Sequence, residues 1–330
     1  MDIKKTLRIS ASLLLIVLIG YFYSLEFKKN WGLLRQFEIA ISFRYLLISF
    51  FLFLLSFLLE TYIWKVCMNK HLGRPALNFT QSIAVVNGSG ILKYLPGRIW
   101  TYTAQMVWLK KYNISKSVIL YVNLICILGA LIVSVYLSLI YLALNTNVLS
   151  IKVIMLLFVA FILFNVLYIT GNSLFMNKLI LLAGRLLKKE LQPLPSSKSL
   201  LLFIQVVYTC SWSLTGLGGY FLAKGIGLPI LFTSIFALLA AMSLSWLVGY
   251  FVVLSPGGLG IREGMMLFML NGVVNTQTAL LFPILSRLMY LLVEAFLGLA
   301  ALSLGIKYNV FSSEKTGHVE ENNTARTHKG

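Results

Sequence analysis

Long apolar stretches, separated by short polar and basic ones, fill almost the whole chain. Runs of span length, roughly 20 predominantly apolar residues, cover residues 7–25, 45–68, 117–144, 149–170, 200–223 and 277–306. Two further regions are broken: residues 79–95 followed by 99–109, and residues 230–254 followed by 261–274. The breaks fall at Pro96-Gly97 and at Pro256-Gly257-Gly258. Proline lacks the backbone donor a helix needs and glycine accepts positive φ, so each pair stops a helix. Lipid cannot satisfy the polar groups of an interrupted backbone, so such a break must be buried in protein or line a watery cavity. The pattern predicts an all-α polytopic membrane protein: six full spans plus two Pro-Gly-broken hairpins, about eight or more membrane helices.

The two broken regions resemble one another. Gly73-Arg74-Pro75 and then Phe79-Thr80 precede the first break, and Gly227-Leu228-Pro229 and then Phe232-Thr233 precede the second. A short segment, a polar stretch and a long apolar helix follow each. We read residues 45–144 as one repeat and 200–306 as another, within a single membrane domain over residues 1–306. Three full spans separate the starts of the copies, so the copies are expected to be inverted, as in alternating-access carriers. Residues 174–191, with Lys178, Arg185, Lys188 and Lys189 among leucines, read either as an amphipathic helix on the membrane surface or as an ordinary connector. Residues 307–330 are polar and expected to be disordered.

Loop charge sets an expected orientation. The N-terminus (Lys4, Lys5, Arg8) and the stretches 65–74, 110–116 and 178–198 are basic, whereas 145–150 and 271–277 carry no Lys or Arg. The positive-inside pattern then places both termini in the cytoplasm; the basic stretch 26–44 is the exception. The first apolar run has no small-residue cleavage pattern before Glu26 and reads as a retained span.

Composition agrees: of 330 residues 59% are hydrophobic and 12% charged, against about 25% charged in soluble domains. That leaves too little polar sequence for an ordinary soluble catalytic domain. The net charge of +18 follows from membrane topology, so no nucleic-acid partner is expected. Three scattered cysteines and three histidines, two of them in the tail, indicate neither a disulfide framework nor a metal site, and no cofactor is expected.

The segments Lys93-Tyr94-Leu95-Pro96-Gly97-Arg98 and Ser255-Pro256-Gly257-Gly258-Leu259-Gly260-Ile261-Arg262-Glu263-Gly264 resemble the flippase-like family named for the transmembrane region of lysylphosphatidylglycerol synthase. The resemblance covers residues 45–306. It implies handling or translocation of lipids or lipid-linked sugars in the cell inner membrane, beside envelope lipid or polysaccharide synthesis. The soluble aminoacyl-transferase domain of two-domain relatives has no counterpart in this sequence, and Trp100 follows the first motif where many relatives have a small residue.

Charge inside a membrane costs roughly 2.5–3.5 kcal/mol at a helix centre, so it is usually functional or paired. The candidates are Glu60, Lys93, Arg98, Arg262, Glu263, Arg287 and Glu294. Lys93 and Arg98 flank the first break, beside Pro96 and Gly97; they form either an anion site at a helix N-terminus or a hairpin tip with snorkelling cations. In the second motif Pro256, Gly257, Gly258 and Gly260 bring backbone close either to a headgroup or to a neighbouring helix, and Arg262 and Glu263 open the next helix. The glycine spacing is not that of a dinucleotide loop. Arg287 and Glu294 share a helix face two turns apart, too far to be presumed a direct pair, with Glu60 or Glu263 as plausible partners. Glu60 also reads as a residue near a span end. The expected function is a carrier for an anionic lipid or lipid-linked sugar, not an enzyme. The rivals are a scaffold holding a glycosyltransferase and a lipid-linked transferase; a homo-oligomer is a further possible assembly.

Overall fold

The computed structural model describes residues 28, 40–94, 99–144, 150–170, 178, 181, 197–251, 258, 260–271 and 273–311. The expected span at 7–25, most of 174–191, Pro96, Gly97, Arg98, Pro256, Gly257 and the tail past 311 lie outside the described residues. The elements are α1 (Phe43–Leu72), α2 (Phe79–Gly90), α3 (Ile99–Leu109), α4 (Lys116–Leu144), α5 (Ile151–Thr170), α6 (Lys198–Gly225), α7 (Ile235–Phe251), α8 (Ile261–Leu270) and α9 (Thr276–Lys307). Short 3-10 turns run over Ile91–Tyr94, Lys110–Tyr112 and Phe232–Ser234. The protein is an all-α polytopic membrane protein.

Among the described residues five helices are long and apolar enough to cross a bilayer: Phe43–Leu72, Lys116–Tyr141, Lys198–Gly225, Phe232–Phe251 and Thr276–Lys307. The fourth differs from the sequence expectation, because the first arm of the second broken region is a full span in length. The first arm of the first region is not. Asn87, Gly88, Ser89 and Gly90 close α2 with weak helix formers, and the chain tightens there into the 3-10 turn. The corresponding stretch of α7, rich in alanine and leucine, has no such run and continues.

Each broken region returns to the end from which it came. Arg74 Nη2 donates to the Tyr112 carbonyl at 2.9 Å, tying the start of the first region to its finish. Asn275 Nδ2 donates to the Pro229 carbonyl at 2.5 Å and does the same for the second. Side-chain caps make the corners: Asn78 caps α2 in a reciprocal pair with Gln81, and Asn275 Oδ1 accepts from Thr278 N at the start of α9.

The central seam joins α1 to α6, and the two run antiparallel. Ser42 N donates to Gly225 O at 2.8 Å, Ser49 Oγ to Gly218 O at 2.8 Å, and Ser56 Oγ lies 2.8 Å from Ser211 Oγ and 2.9 Å from Thr215 Oγ1. Advancing along α1 therefore means retreating along α6. Small residues permit this close approach, since between helices in lipid the attraction comes from packing and hydrogen bonds. The contacts of α2 with α9 also run in opposite senses, with Gly88 beside Ala301 and Ile91 against Gly298.

Two apolar cores lie side by side and are separated along α1 and α6. One gathers Ile63, Cys67, Leu77, Val122 and Ile204; the other gathers Phe53, Leu222, Leu238, Phe282 and Val293. Along α1 and α6 the changeover falls at Ser56, Glu60, Ser211 and Thr215. Outward faces stay apolar: Met155, Leu156 and Leu163 of α5 are all more than half exposed. In water such a face would be an aggregation liability, and in a bilayer it is the ordinary lipid contact.

Candidate functional site

Six of the charges singled out in the sequence meet near the level at which α1 and α6 pass from one core to the other. The 3-10 turn carries Lys93 and Tyr94 as neighbours, and both reach the same carboxylate on α9. Lys93 Nζ lies 2.5 Å from Glu294 Oε1, and Tyr94 Oη donates to Glu294 Oε2 at 2.6 Å. Two turns back on α9, Arg287 Nη2 donates to Tyr94 Oη at 3.3 Å. The Arg287 guanidinium also stands 5.6 Å from the centre of the Tyr94 ring, within cation–π range. Tyr94 is thus wedged between Arg287 and Glu294 of α9 and links them.

Arg287 extends the chain to the second motif. Its Nε lies 3.7 Å from Glu263 Oε1, both side chains being 9% exposed. The other oxygen, Glu263 Oε2, accepts from Gly260 N at 2.6 Å, fastening the first turn of α8. A single relay therefore runs from Lys93 and Tyr94, through Glu294 and Arg287, to Glu263 and Gly260. Both broken regions are held on α9.

Arg262 lies beside this relay, in a small pocket with Glu263, Arg287 and Tyr290. A Cβ on Gly258, whose φ is +74°, would stand 2.8 Å from Arg262 Nε; one on Gly249 would stand 2.5 Å from Arg262 Cγ. These glycines clear a passage for the arginine. At Gly258 the close neighbour is thus a side chain of the protein itself.

On the other side of the relay lies a cavity of about 550 Å³ between α1, α2 and α9. Glu60, Thr61, Asn87, Lys93, Tyr94 and Glu294 form its polar wall, and Phe57, Val86, Ile91, Leu291, Leu299 and Leu302 belong to its apolar one. Asn87 Nδ2 donates to Thr61 Oγ1 at 3.1 Å, binding α2 to α1 behind it. Ile91, Leu299 and Leu302 are 44%, 67% and 47% exposed, so the apolar wall continues onto the outer surface of the bundle.

The structure thus brings together Glu60, Lys93, Arg262, Glu263, Arg287 and Glu294. Arg98, Pro96, Gly97, Pro256 and Gly257 are outside the described residues. Lys93 already has a carboxylate partner, so it is not the bare cation that a simple anion site would present. Tyr94, Thr61 and Asn87 were not among the sequence candidates. A tyrosine in apolar sequence looks like any interfacial aromatic; its only distinguishing sign was its place between Lys93 and a helix break. Among the described residues no group of three or more His, Cys, Asp or Glu is placed to hold a metal.

The sequence profile described as Lysylphosphatidylglycerol synthase TM region matches residues 6–298. The chain belongs to this family. The matched stretch of this Lysylphosphatidylglycerol synthase TM region protein includes both broken regions and every charged residue of the relay. No curated protein matches the sequence.

Proposed function

We propose that this protein carries lipid headgroups, of phospholipids or lipid-linked sugars, across the cell inner membrane, and that it does so as a carrier and not as an enzyme. The observation that supports this best is the two-sided cavity, polar along Glu60, Lys93 and Glu294 and apolar along a wall continuous with the outer surface. About 550 Å³ falls within the range that accommodates a small molecule. It suits a headgroup whose chains remain in the bilayer beside Ile91, Leu299 and Leu302.

The antiparallel α1–α6 seam and the opposite ends from which the two broken regions enter favour a pair of inverted repeats, the architecture of alternating-access carriers. Lys70, Arg74, Lys110 and Lys111 cluster at one end, while Arg44, Lys152 and Lys224 lie towards the other. The first end is cytoplasmic on the positive-inside rule.

Vesicles reconstituted with the full chain and a fluorescent phospholipid test the carrier. Wild type should expose inner-leaflet probe to a membrane-impermeant quencher. Lys93→Met combined with Glu294→Gln should slow that exposure by about tenfold or more, equivalent to about 1.4 kcal/mol. Wild-type vesicles that behave like protein-free ones would refute the proposal.

A further inference from the structure

A run of hydroxyls crosses the α1–α6 seam and joins the two pockets. Ser56 Oγ on α1 lies 2.8 Å from Ser211 Oγ and 2.9 Å from Thr215 Oγ1, both on α6. All three residues are buried. At one end the Ser211 hydroxyl is within hydrogen-bonding reach of the carboxyl of Glu60, which lines the large cavity. At the other the Thr215 hydroxyl is within reach of the hydroxyl of Tyr290, which lines the small pocket with Glu263. That pocket measures about 10 Å³, about enough for one water.

A hydroxyl that only satisfies itself inside a membrane helix bonds back to the carbonyl one turn earlier. Ser138, Thr209 and Ser303 do so, on Ser134, Gln205 and Leu299. Ser56 instead meets two hydroxyls of another helix, and the run ends beside an ionisable side chain at either end. Ser211 Oγ also reaches the Ser56 carbonyl, at the longer distance of 3.3 Å. Each hydroxyl has one proton to give and lone pairs to receive another, so the run can hand a proton along.

We propose that this run is a proton path between the two pockets, loaded at Glu60, and that headgroup carriage is coupled to proton movement along it. Glu60 gives its proton to Ser211, Ser211 to Ser56, Ser56 to Thr215, Thr215 to Tyr290, and Tyr290 through one water to Glu263. At each hydroxyl one O–H bond forms as another breaks. One proton leaves Glu60, one reaches Glu263, and rotation of the hydroxyls resets the run. A proton on Glu263 cancels the charge that faces Arg287 at 3.7 Å, which loosens α8 from α9 and gives the proton a mechanical effect on the second broken region. Among the described residues, the groups that face Glu60 are Lys93 of the 3-10 turn, Glu294 and Tyr290 of α9, Arg262 of α8, Tyr208 of α6 and Cys126 of α4. Lys93 and Tyr94 already hold Glu294, which leaves Glu60 as the exchangeable carboxyl of the cavity. The coupling rests on the lipid-carrier reading, and the path itself does not.

The test uses vesicles that hold the full chain, luminal pyranine as pH dye and a fluorescent phospholipid, given an acid pulse outside while potassium and valinomycin clamp the potential. Wild type should acidify the lumen at least about fivefold faster than protein-free vesicles, and the gradient should change the rate of lipid translocation by a similar factor. Thr215→Val keeps the shape and removes the hydroxyl, and should return acidification to the protein-free rate; Thr215→Ser keeps the hydroxyl and should keep acidification. Equal losses in the two variants would mean packing alone and overturn the path. Wild-type acidification at the protein-free rate, or acidification by Thr215→Val at the wild-type rate, would overturn it too. Should Thr215→Val fail to fold, Glu60→Gln, which leaves the three seam hydroxyls in place, decides by the same loss. Lipid translocation without acidification sinks the path and leaves the carrier. Acidification without lipid translocation sinks the carrier and leaves the path, and translocation indifferent to the gradient beside normal acidification overturns the coupling alone.

Discussion

Two side chains show how much of the site depends on a single hydroxyl or a single carboxylate. Tyr94 receives from Arg287 and donates to Glu294, so its oxygen is a hydrogen-bond partner of two charged groups. Bonds to charged groups contribute about 1.5–3 kcal/mol in soluble proteins, and polar contacts inside membranes average less. Tyr94→Phe keeps the ring and removes only that link. It should lower the thermal unfolding midpoint in detergent by several degrees; an unchanged midpoint would mean that the relay contributes nothing to stability. Glu263 has two separable tasks, accepting from Gly260 N and pairing with Arg287. Glu263→Gln retains an acceptor for the amide and loses the charge, whereas Glu263→Ala loses both. The midpoint should therefore fall in the order wild type, Gln, Ala, and equal losses for the two variants would contradict a capping role. The charged members of this site were legible in the sequence because ionisable residues stand out in apolar runs. Their pairings were not, since a span gives the position of Glu294 along one helix but not which neighbouring element faces it. Tyr94 was hidden for the opposite reason: aromatic residues are common in membrane segments, and a bridging hydroxyl leaves no pattern along the chain.

At the scale of elements, span lengths were the most legible feature. The expected runs at 45–68, 117–144, 200–223 and 277–306 correspond to α1, α4, α6 and α9 within a few residues at each end. Hydrophobic length alone sets them. The broken regions were harder. Both carry a Pro-Gly break, yet only α7 with its leading 3-10 turn reaches span length. The difference lies in the run from Asn87 to Gly90, which favours a tighter turn and puts Lys93 and Tyr94 at its tip. Hydropathy registers no such change of helix type. The register of α1 on α6 was likewise invisible, because serines and glycines spaced along two helices do not specify direction. It can be tested by chemistry. In a background with Cys67, Cys126 and Cys210 replaced by serine, Ser56→Cys and Ser211→Cys should form a disulfide under mild oxidation, their side-chain oxygens being 2.8 Å apart. Failure of that pair to cross-link would argue against the antiparallel seam.

For the whole molecule, the arrangement places Ser150 at the start of α5 and the corner between α8 and α9 at one end, and the corners at Gly73 and Asn113 at the other. Single cysteines at Ser150 and Val273 should therefore react with an impermeant maleimide from one side of the membrane, and cysteines at Gly73 and Lys111 from the opposite side. Ser150 and Val273 labelled from different sides would break the topology. Within that frame, both broken regions hang on α9 through Glu294 and Arg287, so movement of either one is mechanically linked to the wall of the cavity. If the protein is a carrier, this cavity is where a lipid headgroup travels. Ala295 lines it, and Ala295→Trp would take up part of it while leaving Lys93 and Glu294 in the sequence. The deciding measurement is the rate of phospholipid translocation in reconstituted vesicles, compared for wild type, Ala295→Trp and the outward-facing control Leu163→Trp on α5. Ala295→Trp should abolish translocation at a normal unfolding midpoint while Leu163→Trp leaves it unchanged. Translocation by Ala295→Trp at the wild-type rate would contradict that role of the cavity.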